Sequence, residues 1–391
     1  MDALDGYLSQ RLSEAADRDR AFYESRLPAL RTDALTRIKK RRGRFQRVAI
    51  VAVAAIAVAA AITVPRLLDR SAGHGFGVTG VGASRITNFD IPGRIVFGDG
   101  RLWVDNADNY DHNPYNEDTK NLEGFTSIDP ASNAVHDWPP VTKDADSLIF
   151  VNGDIWASGS VSQSADAARA NQLPSAGYLE QVDTHTMTLV RTHNLSGVPY
   201  GVAFAGPTTS AASGSKGSIW VANIGGSEVW RLDVATGELT SIDVGRETWD
   251  VTAAGGLIWF LGKTGGLISV DPATNQVTTT RELCGSREIF ALGALWVSGC
   301  DGYLLRLDPQ SGTLTNKIEV DDGRVLEGIA ELDGHLWVSE VWTDKVVEVD
   351  PDSGRVVSRV SVGDKPFDVV SGGGALWLDH AQSDIVTRVD P

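Results

Sequence analysis

A tryptophan preceded by leucine or isoleucine recurs seven times along the chain. The copies are Leu102-Trp103, Ile155-Trp156, Ile219-Trp220, Ile258-Trp259, Leu295-Trp296, Leu336-Trp337 and Leu376-Trp377. Each is followed by an apolar residue and an aspartate, as Ile128-Asp129, Val182-Asp183, Leu232-Asp233, Val270-Asp271, Leu307-Asp308, Val349-Asp350 and Val389-Asp390. From Trp220 on, the Trp-to-Asp distance is 13, 12, 12, 13 and 13 residues and the Trp-to-Trp distance is 39, 37, 41 and 40. A period of this length marks a repeat architecture. Within the copy that starts at Val325, short alternating or apolar runs are separated by turn residues such as Asp-Gly and Asp-Pro, the signature of successive antiparallel strands. Four such strands in about 40 residues make one propeller blade. A blade cannot bury both faces alone, so the blades must stack around an axis, and the tryptophans are expected in the core between neighbours.

The ends of the repeat region predict how the ring closes. The seventh copy stops at Val389-Asp390-Pro391 without an outer strand, while Arg85-Ile86-Thr87-Asn88-Phe89-Asp90-Ile91 resembles the outer strand Leu239-Thr240-Ser241-Ile242-Asp243-Val244. Pairing the two in one blade removes an open sheet edge. The expected fold is therefore all-β, a seven-bladed β-propeller of four-stranded blades over residues 84–391. Phrases such as Val362-Gly363, Pro366, Gly374-Ala375-Leu376-Trp377 and Leu232-Asp233 with Thr236-Gly237 resemble the repeats of bacterial YVTN/NHL-type propellers, with the streptogramin (virginiamycin) B lyase-like branch nearest. The layout of tail, span and propeller is also similar to the membrane and sensor portions of some bacterial receptor kinases, without a kinase.

Upstream of the propeller the chain changes character. Residues 48–64 contain only Val, Ala, Ile and one Thr, and Leu67 and Leu68 extend the apolar stretch, so a transmembrane helix is expected over 48–68. Arg47 and Arg66 bracket it, and Lys39-Lys40-Arg41-Arg42-Gly43-Arg44 precedes it. By the positive-inside rule the N-terminal end stays cytoplasmic and the propeller is held outside at the cell membrane, as a single-pass type II protein. In the tail, residues 1–47, Leu4, Tyr7, Leu8 and Leu12 fall on one helical face. That face is a candidate dock for a cytoplasmic protein. The Gly-rich stretch within 69–83 reads as a linker. Its Gly75-Phe76-Gly77-Val78-Thr79-Gly80 fits a dinucleotide fingerprint only in letters, since no strand precedes it. Charge divides along the same line: residues 1–47 carry 12 Lys/Arg against 7 Asp/Glu, the remainder 23 against 44. An acidic propeller repels phosphate backbones, so nucleic acid is not an expected partner.

The two cysteines, Cys284 and Cys300, flank one expected hairpin. They are a candidate disulfide suited to an oxidising compartment, with two reduced thiols as the alternative.

Function should sit where long loops crown the scaffold. Trp103 to Asp129 spans 26 residues and Trp156 to Asp183 spans 27, about double the other blades. The first insertion holds Asp105, Asn106, Tyr110 and Tyr115 among further carboxylates. A second set comes from the start of the inner strands, usually ten residues before the tryptophan: Asp146, Trp249, Glu327 and Phe367, with Tyr200 further back across an insertion. A third lies three residues after the tryptophan: Asn106, Asn223, Glu340 and His380. Glu327, Glu340 and His380 are candidate catalytic residues, and Glu327 and Glu340 candidate ligands of a divalent cation; no other cofactor is expected. The lyase resemblance implies magnesium-assisted elimination, with a histidine after proline at an inner-strand start. Glu340 matches that family's glutamate, but Glu327 and Phe367 stand where the histidine would be. The expected function is non-catalytic binding or sensing of an extracytoplasmic protein, glycan or small ligand. A metal-assisted lyase or hydrolase and an envelope-assembly scaffold are the alternatives.

Overall fold

In the computed structural model, residues 82–391 are described except 88, 90, 91, 107–123, 140, 143, 144, 161–175, 208–215, 381, 382 and 384. The expected tail, membrane helix and most of the linker lie outside the described residues, as do Tyr110, Tyr115 and the bodies of both long loops. What is described is a ring of seven four-stranded antiparallel sheets. Their inner strands are Pro92–Gly98, Ser147–Val151, Pro199–Ala205, Thr248–Ala254, Gly285–Ala291, Ile329–Leu332 and Pro366–Gly372, which number blades 1 to 7. Each inner strand touches the next, and that of blade 7 touches that of blade 1, so the ring is closed.

Blade 7 is completed from both ends of the repeat region. Strand Gly82–Thr87 pairs antiparallel with Ile385–Asp390, matching Ile86 to Val386 and Gly82 to Asp390. The strand starts three residues earlier than the sequence comparison indicates. Only Ile86 in it is buried, and the observed register sets that one apolar side chain into the cluster with Val386 and Trp377.

Seven apolar clusters fill the seven blade–blade interfaces, and each holds one of the repeated tryptophans, none more than 2% exposed. Trp220, for example, packs with Val251, Ile258 and Phe260 of the following blade. An indole offers a large apolar body and one donor that needs an acceptor when buried. Trp103, Trp296 and Trp377 donate to the carbonyl five residues earlier, Gly98, Ala291 and Gly372, at 3.0–3.1 Å. The repeated aspartates serve a different purpose. Each of Asp129, Asp183, Asp233, Asp308 and Asp350 accepts two backbone N–H groups of the turn before the outer strand. The side chain thus replaces a missing ladder partner. These bonds hold the carboxyls below the usual range, led by Ala131 N for Asp129, Thr186 N for Asp183, Thr236 N for Asp233, and the Ser311 and Ser353 hydroxyls for Asp308 and Asp350.

Cys284 and Cys300 are disulfide-bonded, with Cα atoms 5.5 Å apart. They close the open end of the inner hairpin of blade 5, just outside the Gly285–Gly299 pair.

Candidate functional site at the channel mouth

The start of each inner strand lies at one end of the central channel, here called the mouth. Two adjacent sequence columns meet there. Ten residues before the tryptophan stand Asp146, Trp249, Ser286, Glu327 and Phe367, with Tyr200 equivalent by register. Nine before it stand Arg94, Ser147, Asp250, Arg287, Gly328 and Asp368, with Gly201 equivalent.

Side chains of the second column bridge the channel. Asp368 of blade 7 accepts from Arg94 Nη1 of blade 1 at 3.2 Å and from Arg287 Nε of blade 5 at 3.1 Å. Arg94 also donates Nε to the Asp146 carbonyl of blade 2 at 2.7 Å and Nη2 to the Tyr200 hydroxyl of blade 3 at 2.6 Å. Two guanidiniums thereby tie five blades together. Gly328 makes room for this. A Cβ there would lie 2.6 Å from the Phe367 carbonyl oxygen, and one on Gly201 would lie 2.7 Å from Asp250 Cα. Both glycines allow the next blade's inner strand to approach closely.

The first column supplies aromatic faces for the charges. Tyr200 stacks on Trp249 with ring centroids 4.6 Å apart and planes at 26°. Phe367 lies between the guanidiniums, 5.3 Å from Arg94 and 5.4 Å from Arg287, and Arg287 is also 5.8 Å from Trp249. Weakly hydrated, planar guanidinium tolerates such surroundings better than ammonium does. Arg287 is held on Nε by Asp368 and on Nη1 by the Ser286 carbonyl, 3.2 Å away, while its Nη2 has no hydrogen-bond partner among the described residues. Its side chain is 12% exposed.

Protonation follows from this geometry. Burial alone would raise Asp368, but Arg287 and then Arg94 outweigh it and keep the carboxyl below its usual range. Burial also works against both arginines, yet Tyr200 and Asp368 for Arg94, and Asp368 and Asp250 for Arg287, raise them. Asp379, whose Oδ1 accepts Asp368 N at 2.6 Å, is pushed well up by burial and then by the Asp368 charge. Glu288 is pushed well up by burial and by Asp250, and Asp250 itself is raised by burial. Neither carboxyl oxygen of Glu288 has a hydrogen-bond partner, although the residue is 4% exposed. The backbone N–H of Leu261 faces its carboxyl and favours the charged form, too weakly to reverse the shift.

The residues expected from sequence divide into two groups. Tyr200, Trp249, Phe367 and Asp146 assemble at the mouth, and Glu327, 2% exposed, contributes to the field that raises Arg287. The others are engaged in holding turns and blades. Asp105 Oδ2 accepts Ala145 N of the next blade at 3.0 Å. Asn223 Oδ1 accepts Val198 N and Gly225 N at 3.0 and 2.9 Å. Glu340 accepts the Thr343 hydroxyl at 2.5 Å and lies 3.8 Å from Arg359. His380 bonds Thr387 Oγ1 at 2.7 Å and the Asp364 carbonyl at 3.2 Å, and burial lowers its pKa. Glu340 and His380 therefore have separate partners. No three Asp, Glu, His or Cys side chains among the described residues form a metal-holding group. Asn106 belongs to a strand paired with Pro92 and Gly124. Arg94, Asp250, Arg287, Glu288, Asp368 and Asp379 are the mouth residues that the sequence reading passes over.

No family model matches the chain, and no curated protein matches it in sequence.

Proposed function

We propose that the chain is a membrane-anchored, extracytoplasmic propeller that works as a non-catalytic binding or sensing module. Its ligand, a small polar molecule, glycan or protein loop, rests on the mouth above the Arg94–Asp368–Arg287 bridge. One observation carries this reading. Arg287 is fixed in plane by two acceptors while its Nη2 donors remain unused beside the Trp249 and Phe367 rings. A few oriented polar groups among aromatic faces are what a recognition site requires. The disulfide of blade 5 supports an oxidising compartment, and the basic cluster before residues 48–68 supports the topology. The repeat phrases and the seven-bladed ring keep the YVTN/NHL-type resemblance within this reading.

The test is a thermal-shift screen of the full-length chain against small polar molecules and glycans, with each hit repeated on Arg287→Gln and Trp249→Ala. Hits at the mouth lose their shift in both variants. Hits that persist unchanged in both would move the recognition site elsewhere. The lyase alternative has its own arm: a magnesium-dependent shift abolished by both Glu327→Gln and Glu340→Gln would replace binding with metal-assisted chemistry.

A further inference from the structure

The face opposite the mouth carries two apolar features that the described ring leaves exposed. The first is a knob. The inner hairpin of blade 5 turns at Leu292-Gly293, with φ of 51° and 73°. Equivalent turns read Asp99-Gly100, Asn152-Gly153, Gly255-Gly256, Asp333-Gly334 and Gly373-Gly374, all with positive φ. Such turns need left-handed conformations at both positions, which glycine, asparagine and aspartate tolerate. A bulky aliphatic residue there is an outlier. Yet Leu292 is 42% exposed, and Phe290 beside it 48%. Backbone preference and solvation both disfavour this choice, and a violation of local rules without a gain inside the molecule points to a contact outside it. The disulfide clamps the far end of the same hairpin.

The second feature is a hollow of about 430 Å³, lined chiefly by Phe97, Ile149, Phe150, Val151, Asn152 and Phe204 of blades 1 to 3. Phe97 and Phe150 lie across glycines of the preceding blade, Gly372 and Gly98, where any Cβ would come within 2.0 Å of the ring. Phe97, Phe150 and Phe290 each lie six residues before their blade's tryptophan, and Phe204 is equivalent by register. In blades 4 and 6 that position is Ala253 and Glu331, so Phe290 has no aromatic neighbour and stands proud.

The hollow is centred on blade 2 and the knob on blade 5, across the axis on one face. We propose that the occupant is a second copy of this chain. Two propellers stack on this face about a two-fold axis, each inserting Phe290 and Leu292 into the other's hollow. A two-fold contact must be self-complementary, and knob and hollow on one face meet that condition. In a seven-bladed ring, the line about which blades 2 and 5 exchange runs through blade 7. Blade 7 is where strand Gly82–Thr87 joins, so the Gly82 residues of the two copies come to one edge of the pair. That is the arrangement two anchors in one bilayer need.

The full-length chain in phosphatidylcholine vesicles provides the test. Its native cysteines are already bonded to each other. Under mild oxidation, Asn152→Cys/Leu292→Cys forms a covalent dimer, while either single variant stays monomeric, because residue 292 faces the partner's hollow and not its own counterpart. A monomeric double variant, or a single variant that cross-links as well, would overturn the proposal. Leu292→Asn removes the backbone conflict, so it folds at least as well as the parent. It nevertheless weakens the dimer in detergent roughly tenfold or more, as expected for loss of an apolar anchor at the centre of a contact. An unchanged dissociation constant would also overturn it.

Discussion

Glu288 should be costing the protein stability at neutral pH. The equivalent inner-strand position in the other blades is Ile95, Leu148, Val202, Val251, Ile329 or Val369. Glu288 is as buried as these residues, its carboxyl is pushed well up, and neither oxygen is hydrogen-bonded. A carboxyl of unfolded pKa about 4.3 that must stay neutral at pH 7.5 costs at most about 4 kcal/mol. The unpaired neutral group adds about 1–3 kcal/mol at any pH. The sign follows from proton binding: with the folded pKa raised, the unfolded state holds fewer protons above about pH 4.3, so wild-type stability falls as pH rises toward the folded value. Two substitutions separate the contributions. Glu288→Gln leaves an unpaired polar group, so it should match wild type near pH 4 and exceed it by up to about 4 kcal/mol at pH 7.5. Glu288→Val should already gain about 1–3 kcal/mol at pH 4 and keep that advantage over Gln throughout. Urea unfolding of the three proteins at pH 4, 5.5 and 7.5 measures this. If Val destabilises at every pH, or the gain of Gln does not grow with pH, the carboxyl is ionised and solvated and the reasoning is wrong.

Three further outcomes are expected. Trp259→Ala, which empties the interface between blades 4 and 5 and removes the 3.0 Å bond to the Pro309 carbonyl, should cost about 3–5 kcal/mol in denaturant unfolding. A loss below about 1 kcal/mol would mean that the interface collapses to fill the space. Reducing Cys284–Cys300, which are 16 residues apart, should lower stability by about 3 kcal/mol on the chain-entropy estimate for a loop of this size; no change in the urea midpoint with dithiothreitol would contradict it. The lowered pKa values of the turn aspartates contribute stability above the unfolded pKa of about 3.9 that is lost as pH falls through the folded values. Asp233→Asn should therefore flatten the fall in urea midpoint below pH 4, and an unaltered slope would show that the turn bonds do not bias protonation.

The blade number was legible because it depends on residues that every blade needs in the same place. A buried indole between neighbours and an aspartate accepting turn amides are local requirements, so they repeat as Trp220 and Asp233, Trp259 and Asp271, and so on. The channel bridge obeys a different logic. Arg94, Ser147, Gly201, Asp250, Arg287, Gly328 and Asp368 share one structural position, yet no residue type fills it in more than two of the seven blades. Their complementarity is between blades 1, 5 and 7, which are distant in sequence and meet only once the ring closes. The column beside it, Tyr200, Trp249 and Phe367, could be found because large aromatics at strand starts stand out alone. Glu340 and His380 attracted attention for their chemistry, and both also hold a neighbour. Glu340 Oε2 accepts the Thr343 hydroxyl while its Oε1 has no hydrogen-bond partner among the described residues, and His380 bonds Thr387. Which neighbours such a side chain meets depends on the folded register, which the sequence alone does not display.

The closing strand also has a mechanical consequence. Gly82–Thr87 is paired to the sheet along one edge, with Arg85 reaching the Val362 carbonyl and Asp364, and Gly82 pairs with Asp390 at its outer end. A load applied through the chain preceding Gly82 falls first on that terminal pair. Pulled away from the sheet, the ladder opens one rung at a time, from Gly82–Asp390 toward Thr87–Ile385. Pulled along the strand, all six pairs share the load. The direction of tension would thus decide whether blade 7 behaves as a zip or as a bolt, and with it whether the ring yields gradually or all at once.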